Sequence, residues 1–406
     1  MTTPGSGAAV DYWRAACLLG FSHAAGLAWP PPGAPQRRRV AGHWGCNPGI
    51  AWAAGHLAEA SAGEFLLIVG TGHASSYLFA QEALRSPATP ASISDATRRY
   101  GQPGGDPTEL LGIPGVPYVG GELGPALGVG QGIAAASSGL RVVTLIGDGE
   151  CETPAALAAF AHHDVLAAAP GSCWLPVVNV NGARMGSPAR FSPKRLQALL
   201  EGMGYTVLSS GANTGEAVAA ARRAWELTGS GVPVVWLSVT EKGWPAPELL
   251  GGRPFRGPRA HKLRGLDLSD PDVRAGVADW LGRLNDPPVI SGDGGVPPAV
   301  RSLAARIRLD LPAAHRPPAP AAGRDASQGD QDQCGSQRRP GVAEEPQQGE
   351  PFPHQGPRHS ARKENFHELR KLSQRIERRR TLSRLPARSS GRRPRNGFLS
   401  RPRYRR

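Results

Sequence analysis

The sequence predicts an α/β fold, a doubly wound and mostly parallel sheet, followed by a disordered basic tail. Three observations carry that reading. Five short runs are almost continuously apolar, the pattern of strands covered on both faces. Helical stretches alternate with these runs along the chain. Beyond about residue 286 the alternation gives way to proline, glycine, glutamine and arginine.

In chain order, residues 1–41 read as an N-terminal extension. "DYWRAACLLGFSHAAGLAWP" suits a short helix, and "PPPGAPQRRRV" reads as a linker. The α/β domain is expected over 42–285. Its strands are "EFLLIVG" (64–70), "RVVTLIG" (141–147), "WLPVVNV" (174–180), "YTVLSS" (205–210) and "PVVWLSV" (233–239). "GGELGPALGVGQGIAAASSG" precedes the second strand as a helix, and "ETPAALAAFAHHDVLAA" follows it. "NTGEAVAAARRAWELTG" opens on Asn-Thr with a glutamate in its first turn and closes on glycine, all helix-end signals. "SDPDVRAGVADWLGRL" places Pro271 early in a last helix, where proline is tolerated. Residues 286–406 bury too little apolar surface to offset their ordering entropy, so disorder is expected there.

Charge follows the same division. Residues 311–406 carry 22 Lys+Arg against 9 Asp+Glu, whereas the first 310 residues carry 25 against 24. The basic character belongs to the tail and says nothing of a basic active site. Such a tail attracts nucleic acid by charge alone, but it holds no recognisable binding module, so the case for nucleic acid is weak. A non-functional extension, produced by a shifted reading frame, is the favoured reading of the tail. Cysteines 17, 46, 151, 173 and 334 form no CxxC pair or metal spacing, which fits a reducing compartment. No signal-peptide pattern and no apolar run of 18 residues is present. A soluble cytoplasmic protein without a membrane segment is therefore expected.

The chemistry centres on "LIGDGECETP" (145–154). Asp148 sits between two glycines at the carboxyl end of a strand, where open α/β sheets bind ligands. Thirty-three positions later "VVNVNGARMG" ends another buried strand at Asn181-Gly182. One strand-helix-strand crossover has about that length, so the two strand mouths can be neighbours. A carboxylate, an amide oxygen and a backbone carbonyl near Ala183 then offer hard oxygen ligands to Mg²⁺ beside a diphosphate. Taken singly, GDG is a common turn. It is Asp148, Gly149, Glu150 and Asn181 together that make a site.

Six segments in order carry a family resemblance: "GHWGCNPG" (42–49), "GTGHASSYLFAQ" (70–81), "GGELGPAL" (120–127), "GDGECET" (147–153), "LPVVNVNG" (175–182) and "TEKGWPAP" (240–247). The chain resembles the N-terminal, thiamine diphosphate-binding domain of the xylulose 5-phosphate/fructose 6-phosphate phosphoketolases. The resemblance implies the diphosphate-type domain of the thiamine diphosphate-binding fold, with thiamine diphosphate and Mg²⁺ as cofactors. It implies Asp148 and Asn181 as Mg²⁺ ligands with the Ala183 carbonyl as third. Gly121, Gly149 and Glu150 join Asp148 and Asn181 around the cofactor. His43 and His73 match histidines that contact substrate and cofactor, Lys242 a lysine at the substrate's phosphate or reacting end, and His261 a histidine in "RAHKL". The reaction implied is cleavage of a ketose phosphate with inorganic phosphate, giving acetyl phosphate and an aldose phosphate.

Each residue also has a structural reading. His43 beside Trp44 suits a core histidine, His73 a helix-capping turn, and Lys242 a solvated surface. His162 and His163 are assigned no role, and Cys151 is read as packing.

Two departures qualify the resemblance. Glu109 and Tyr118 stand where the family has histidines, which alters proton shuttling or substrate contact. The second departure is that no strand-rich module follows to supply the glutamate that activates the aminopyrimidine. The expectation is therefore an incomplete site, completed by a separate chain carrying the pyrimidine-binding domain if the protein is active. A homo-oligomer is compatible with this. The alternatives are an inactive truncated remnant, transketolase-like carbon transfer, and nucleic-acid binding through the tail.

Overall fold

The structure is a computed structural model and describes residues 7–27, 43–70, 74–86, 117–118, 122–167, 169–184, 187–261, 263 and 266–315. Its main strands are β1 (Phe65–Val69), β2 (Arg141–Gly147), β3 (Cys173–Val180), β6 (Thr206–Ser210), β7 (Val234–Val239) and β10 (Ile307–Arg308). These six form one sheet in the order β10-β1-β2-β3-β7-β6, every neighbouring pair parallel. Two small antiparallel hairpins, β4 (Ala183–Arg184) with β5 (Ser187–Pro188) and β8 (Leu249–Leu250) with β9 (Arg253–Pro254), lie outside it.

The apolar runs are explained by burial on both faces. In β2, Val143 and Leu145 join one core while Val142 and Ile146 join the other. β3 repeats the alternation, with Leu175 and Val177 on the first face and Trp174 and Val178 on the second. On the first face α2 (Asn47–Ala60) and the helix Thr214–Gly229 pack against the strands, and α1 (Ala8–Ala25) and α3 (Ser75–Arg85) pack against α2 and each other in the same core. The second is covered by the helices Ala126–Ala136, Pro154–Ala161 and Pro193–Gly202. Among the described residues no helix is long and apolar enough to cross a membrane.

Both boundaries expected from the sequence move outward. The segment read as an N-terminal extension contains α1, which is buried along almost its whole length. Trp13 stacks on Trp244 with ring centroids 4.5 Å apart, and Phe21 meets Trp44 edge-on at 5.2 Å. Arg14 donates through Nε to the Leu284 carbonyl at 2.7 Å and through Nη2 to the Pro287 carbonyl at 2.6 Å. The Tyr12 hydroxyl donates to Gln81 Oε1 at 2.6 Å, and the Gln81 amide donates in turn to the carbonyls of Ala304 and Ile307.

At the other end, the part of 286–406 that the structure describes is folded through His315. Asn285 Oδ1 accepts from the backbone of Val289 and Ile290 and turns the chain. The helix Pro298–Arg306 buries Val300 and Leu303, and β10 pairs with β1. Proline and glycine density suggested disorder there, but the stripe of Val300, Leu303, Ala304, Ile307 and Leu309 buries enough apolar surface to order the chain. The expectation for the tail beyond 315 lies outside the described residues.

Trp13 ties α1 to the rest, so Trp13→Ala should cost about 3–5 kcal/mol, read from urea unfolding. His56 supplies a pH-dependent element. Burial lowers its pKa to about 4, and its Nε2 has no hydrogen-bond partner among the described residues. The unfolded chain therefore binds a proton near pH 6.5 that the folded chain refuses. The stability contributed by neutral His56 is complete above pH 6.5 and falls away towards pH 4, by on the order of 3 kcal/mol. Comparing unfolding of wild type and His56→Gln across that window should show the variant losing less stability on acidification.

Candidate active site

The carboxyl ends of β2 and β3 lie side by side, with Gly147 opposite Asn179 in register. Asp148 follows directly and is buried. Its Oδ1 accepts from the Gly149 N–H at 3.0 Å, and its Oδ2 accepts from the N–H groups of Asn181 at 3.1 Å and Gly182 at 2.7 Å. One carboxylate thus ties the turn after β2 to the turn after β3. Burial raises the Asp148 pKa to about 6 against the lowering effect of these backbone donors and of Lys242. Asn181 Oδ1 accepts from the Ala183 N–H at 3.2 Å and shapes the entry to the β4–β5 hairpin.

Glu150 is buried beside them. Its Oε2 accepts from the Gly147 N–H at 2.8 Å and its Oε1 from the Gly124 N–H at 3.4 Å. The carboxylate expected at the cofactor therefore also fastens the "GGELG" segment to the strand end. Tyr118 donates its hydroxyl to the Glu122 carbonyl at 3.1 Å. Burial, followed by the nearby Glu150 charge, raises its pKa, so at neutral pH this phenol stays protonated and does not shuttle protons as an imidazole does.

The other motifs converge on the same end of the sheet. The Gly45 carbonyl accepts from the Gly243 N–H at 2.8 Å, joining "GHWG" to "EKGW". A Cβ on Gly45 would lie 2.5 Å from the Ala260 carbonyl oxygen and 2.9 Å from Lys242 Cγ, so only glycine permits this three-way approach. His43 and His261 meet edge-on with ring centroids 5.1 Å apart. Lys242 is buried rather than solvated, and desolvation lowers its pKa while Cys46 and Asp148 oppose that shift. Burial pushes the Cys46 thiol up to about 11, leaving it a neutral wall group and a poor nucleophile. A cavity of about 200 Å³ is bounded by Cys46, Lys242, Asp148, Glu150, Asn181 and Ala183 among others.

Three sequence expectations, for His73, Gly121 and Glu109, lie outside the described residues. Sequence reasoning did not single out Glu152, Arg184 and Arg190, which line the same cavity. The signal available was two arginines shortly after Asn181-Gly182, and a second glutamate in "GDGECE".

The donor set suits a hard cation. Among the described residues no three His, Cys, Asp or Glu side chains group to hold a metal. A cation here would instead draw on the Asp148 carboxylate, the Asn181 amide oxygen, the Ala183 carbonyl and oxygens of its ligand. The raised pKa of Asp148 marks a buried charge that such a cation would compensate.

The family model of the XFP N-terminal domain matches residues 11–224. The chain belongs to the phosphoketolase family. A probable phosphoketolase 1 of Rhizobium meliloti (strain 1021) is 28% identical over 333 residues, covering 72% of this chain and 42% of the relative. A probable phosphoketolase of Chlorobaculum tepidum is 28% identical over 351 residues, covering 75% and 44%. The chain therefore spans well under half the length of these phosphoketolases. The fold is that of the transketolases: the Campylobacter jejuni enzyme superimposes with a TM-score of 0.51 at 18% identity over 73% of this chain and 46% of the other. A transketolase variant of Pichia stipitis gives 0.52 at 16% identity over 74% and 44%. The phosphoketolase match begins at residue 11, inside α1, in keeping with the packing of that helix against Trp44 and Trp244.

Gly45→Ala should force the Ala260 backbone and the Lys242 stem away from the "GHWG" segment, since the added Cβ would stand 2.5 Å from the Ala260 carbonyl oxygen. The expected cost is about 1–3 kcal/mol in thermal unfolding, with no comparable loss for Gly63→Ala, where a Cβ meets nothing.

Proposed function

We propose that this chain is the diphosphate-binding half of a thiamine diphosphate-dependent phosphoketolase. The observation that carries the reading is the meeting of Asp148 and Asn181 at two adjacent strand ends, in one cavity with Lys242. Asp148, Asn181 and the Ala183 carbonyl would hold Mg²⁺ against the cofactor's diphosphate, with Gly121, Gly149 and Glu150 framing it. When bound, thiamine diphosphate supplies the electron sink for carbon–carbon cleavage.

The chain's own groups would do the rest. Lys242, buried and cationic, binds the anionic end of a ketose phosphate or the incoming inorganic phosphate. His43, His73 and His261 carry protons to and from substrate hydroxyls, a task suited to imidazoles near neutral pH. The products would be acetyl phosphate and an aldose phosphate. The pyrimidine-binding domain of the family, with its activating glutamate, would complete the site. The compartment implied is the cytoplasm.

Two measurements test this. Calorimetric titration of thiamine diphosphate with Mg²⁺ should show binding to wild type and a loss of at least about a hundredfold in Asp148→Ala. With the complementary phosphoketolase domain added, acetyl phosphate should form from xylulose 5-phosphate and inorganic phosphate, and Lys242→Gln should lower its rate by about a hundredfold or more. Binding without any acetyl phosphate would identify an inactive remnant, and transfer only to a sugar acceptor would identify transketolase-like chemistry.

A further inference from the structure

The hairpin after Asn181 carries charge that the recognised motifs do not use. Arg184 lies across the 3₁₀ turn Glu150–Glu152. Its stem rests on the bare face of Gly149, where an added Cβ would stand 2.7 Å from Arg184 Cβ. Its Nη1 donates to Glu152 Oε2 at 2.7 Å. Glu152, with only 6% of its side chain exposed, also accepts from the Arg190 N–H and lies 3.6 Å from Arg190 Nε. One buried carboxylate thus faces two guanidinium groups and neutralises one.

The Arg184 head is only half used. Its Nε is buried and has no hydrogen-bond partner among the described residues. An unmet buried donor costs free energy that a ligand acceptor would restore. With Nη1 committed to Glu152, the Nε–Nη2 edge remains. That edge presents two parallel N–H groups, the geometry that forks onto phosphate oxygens. The glycine beneath the stem and the carboxylate beyond the head hold the guanidinium at the cavity that Asp148 and Asn181 also line.

Resting on the diphosphate reading above, we propose that Arg184 binds the terminal phosphate of the diphosphate and that Glu152 is the positioning residue that sets its guanidinium. Arg184 then discriminates a diphosphate from a monophosphate. Asp148 and Asn181 would hold the cation, whereas the arginine serves the outer phosphate.

The test uses the full chain and two probes, magnesium pyrophosphate and magnesium phosphate, titrated calorimetrically with melting temperatures measured alongside. Wild type should bind pyrophosphate more tightly than phosphate. Arg184→Met should narrow that preference by about tenfold or more. Arg184→Lys should recover part of it, since a point charge attracts phosphate without forking onto it. Glu152→Gln should narrow the preference less than Arg184→Met. An unchanged preference in Arg184→Met, or an equal loss of affinity for both anions, overturns the assignment. Should that variant fail to fold, Arg184→Gln replaces it, and a narrowed preference supports the assignment while an unchanged one overturns it. If wild type shows no binding of pyrophosphate at all, the diphosphate reading of the cavity falls, and this inference with it. That result is distinct from an unchanged ratio, which removes the role of Arg184 alone.

Discussion

The Asp148 carboxylate is the point through which the site is held. Its two oxygens accept three backbone N–H groups, one from its own turn and two from the turn after β3. Those donors would otherwise be unsatisfied at strand ends, and each is a strong obligatory group. The same interaction fixes where the β4–β5 hairpin begins and hence where Ala183 and Arg184 stand. Its burial has a cost, visible in a carboxyl pKa of about 6, and that cost is what a bound cation would offset.

A second constraint comes from behind the site. The tryptophans of "GHWG" and "EKGW" are not cavity residues; they pack against α1, Trp44 on Phe21 and Trp244 on Trp13. Each segment therefore has one side in the core and one towards the cavity, Cys46 and Lys242 on the latter. Arg14 and Gln81 extend the same framework to Leu284, Pro287, Ala304 and Ile307 near the end of the described fold. An aromatic cluster of this kind tolerates little displacement, because interiors are packed close to crystal density. Positioning of the two motifs is thus inherited from a helix that has no chemistry of its own.

The charges lining the cavity are balanced among the residues described, with Asp148, Glu150 and Glu152 against Lys242, Arg184 and Arg190. The division of labour is uneven. Glu150 and Asp148 hold backbone N–H groups, Glu150 tying Gly124 to Gly147 and Asp148 tying the two strand ends, whereas Glu152 holds arginines. Tyr118 adds a protonated phenol. His43 and His261 meet edge-on with ring centroids 5.1 Å apart.

The α/β class, the five principal strands and the pairing of Asp148 with Asn181 were legible in the sequence. Strands buried on both faces must be apolar throughout, and ligand-binding turns at their ends must carry glycine beside a polar group, so local composition records them directly. The motifs also pointed to Lys242, which lines the cavity, and to His43 and His261, which meet each other. What only the tertiary structure decided were the edges of the fold and the electrostatic surroundings of each group. α1 is rich in small residues and β10 has two residues, so neither carries a long enough periodic signal to be told from an extension or a tail. The clamp of Glu152 on Arg184 joins residues 32 positions apart through a hairpin whose direction depends on Asp148. Burial, which makes Lys242 a desolvated cation and Cys46 an inert thiol, is a property of how distant segments close over one another, and no local stretch of sequence encodes it.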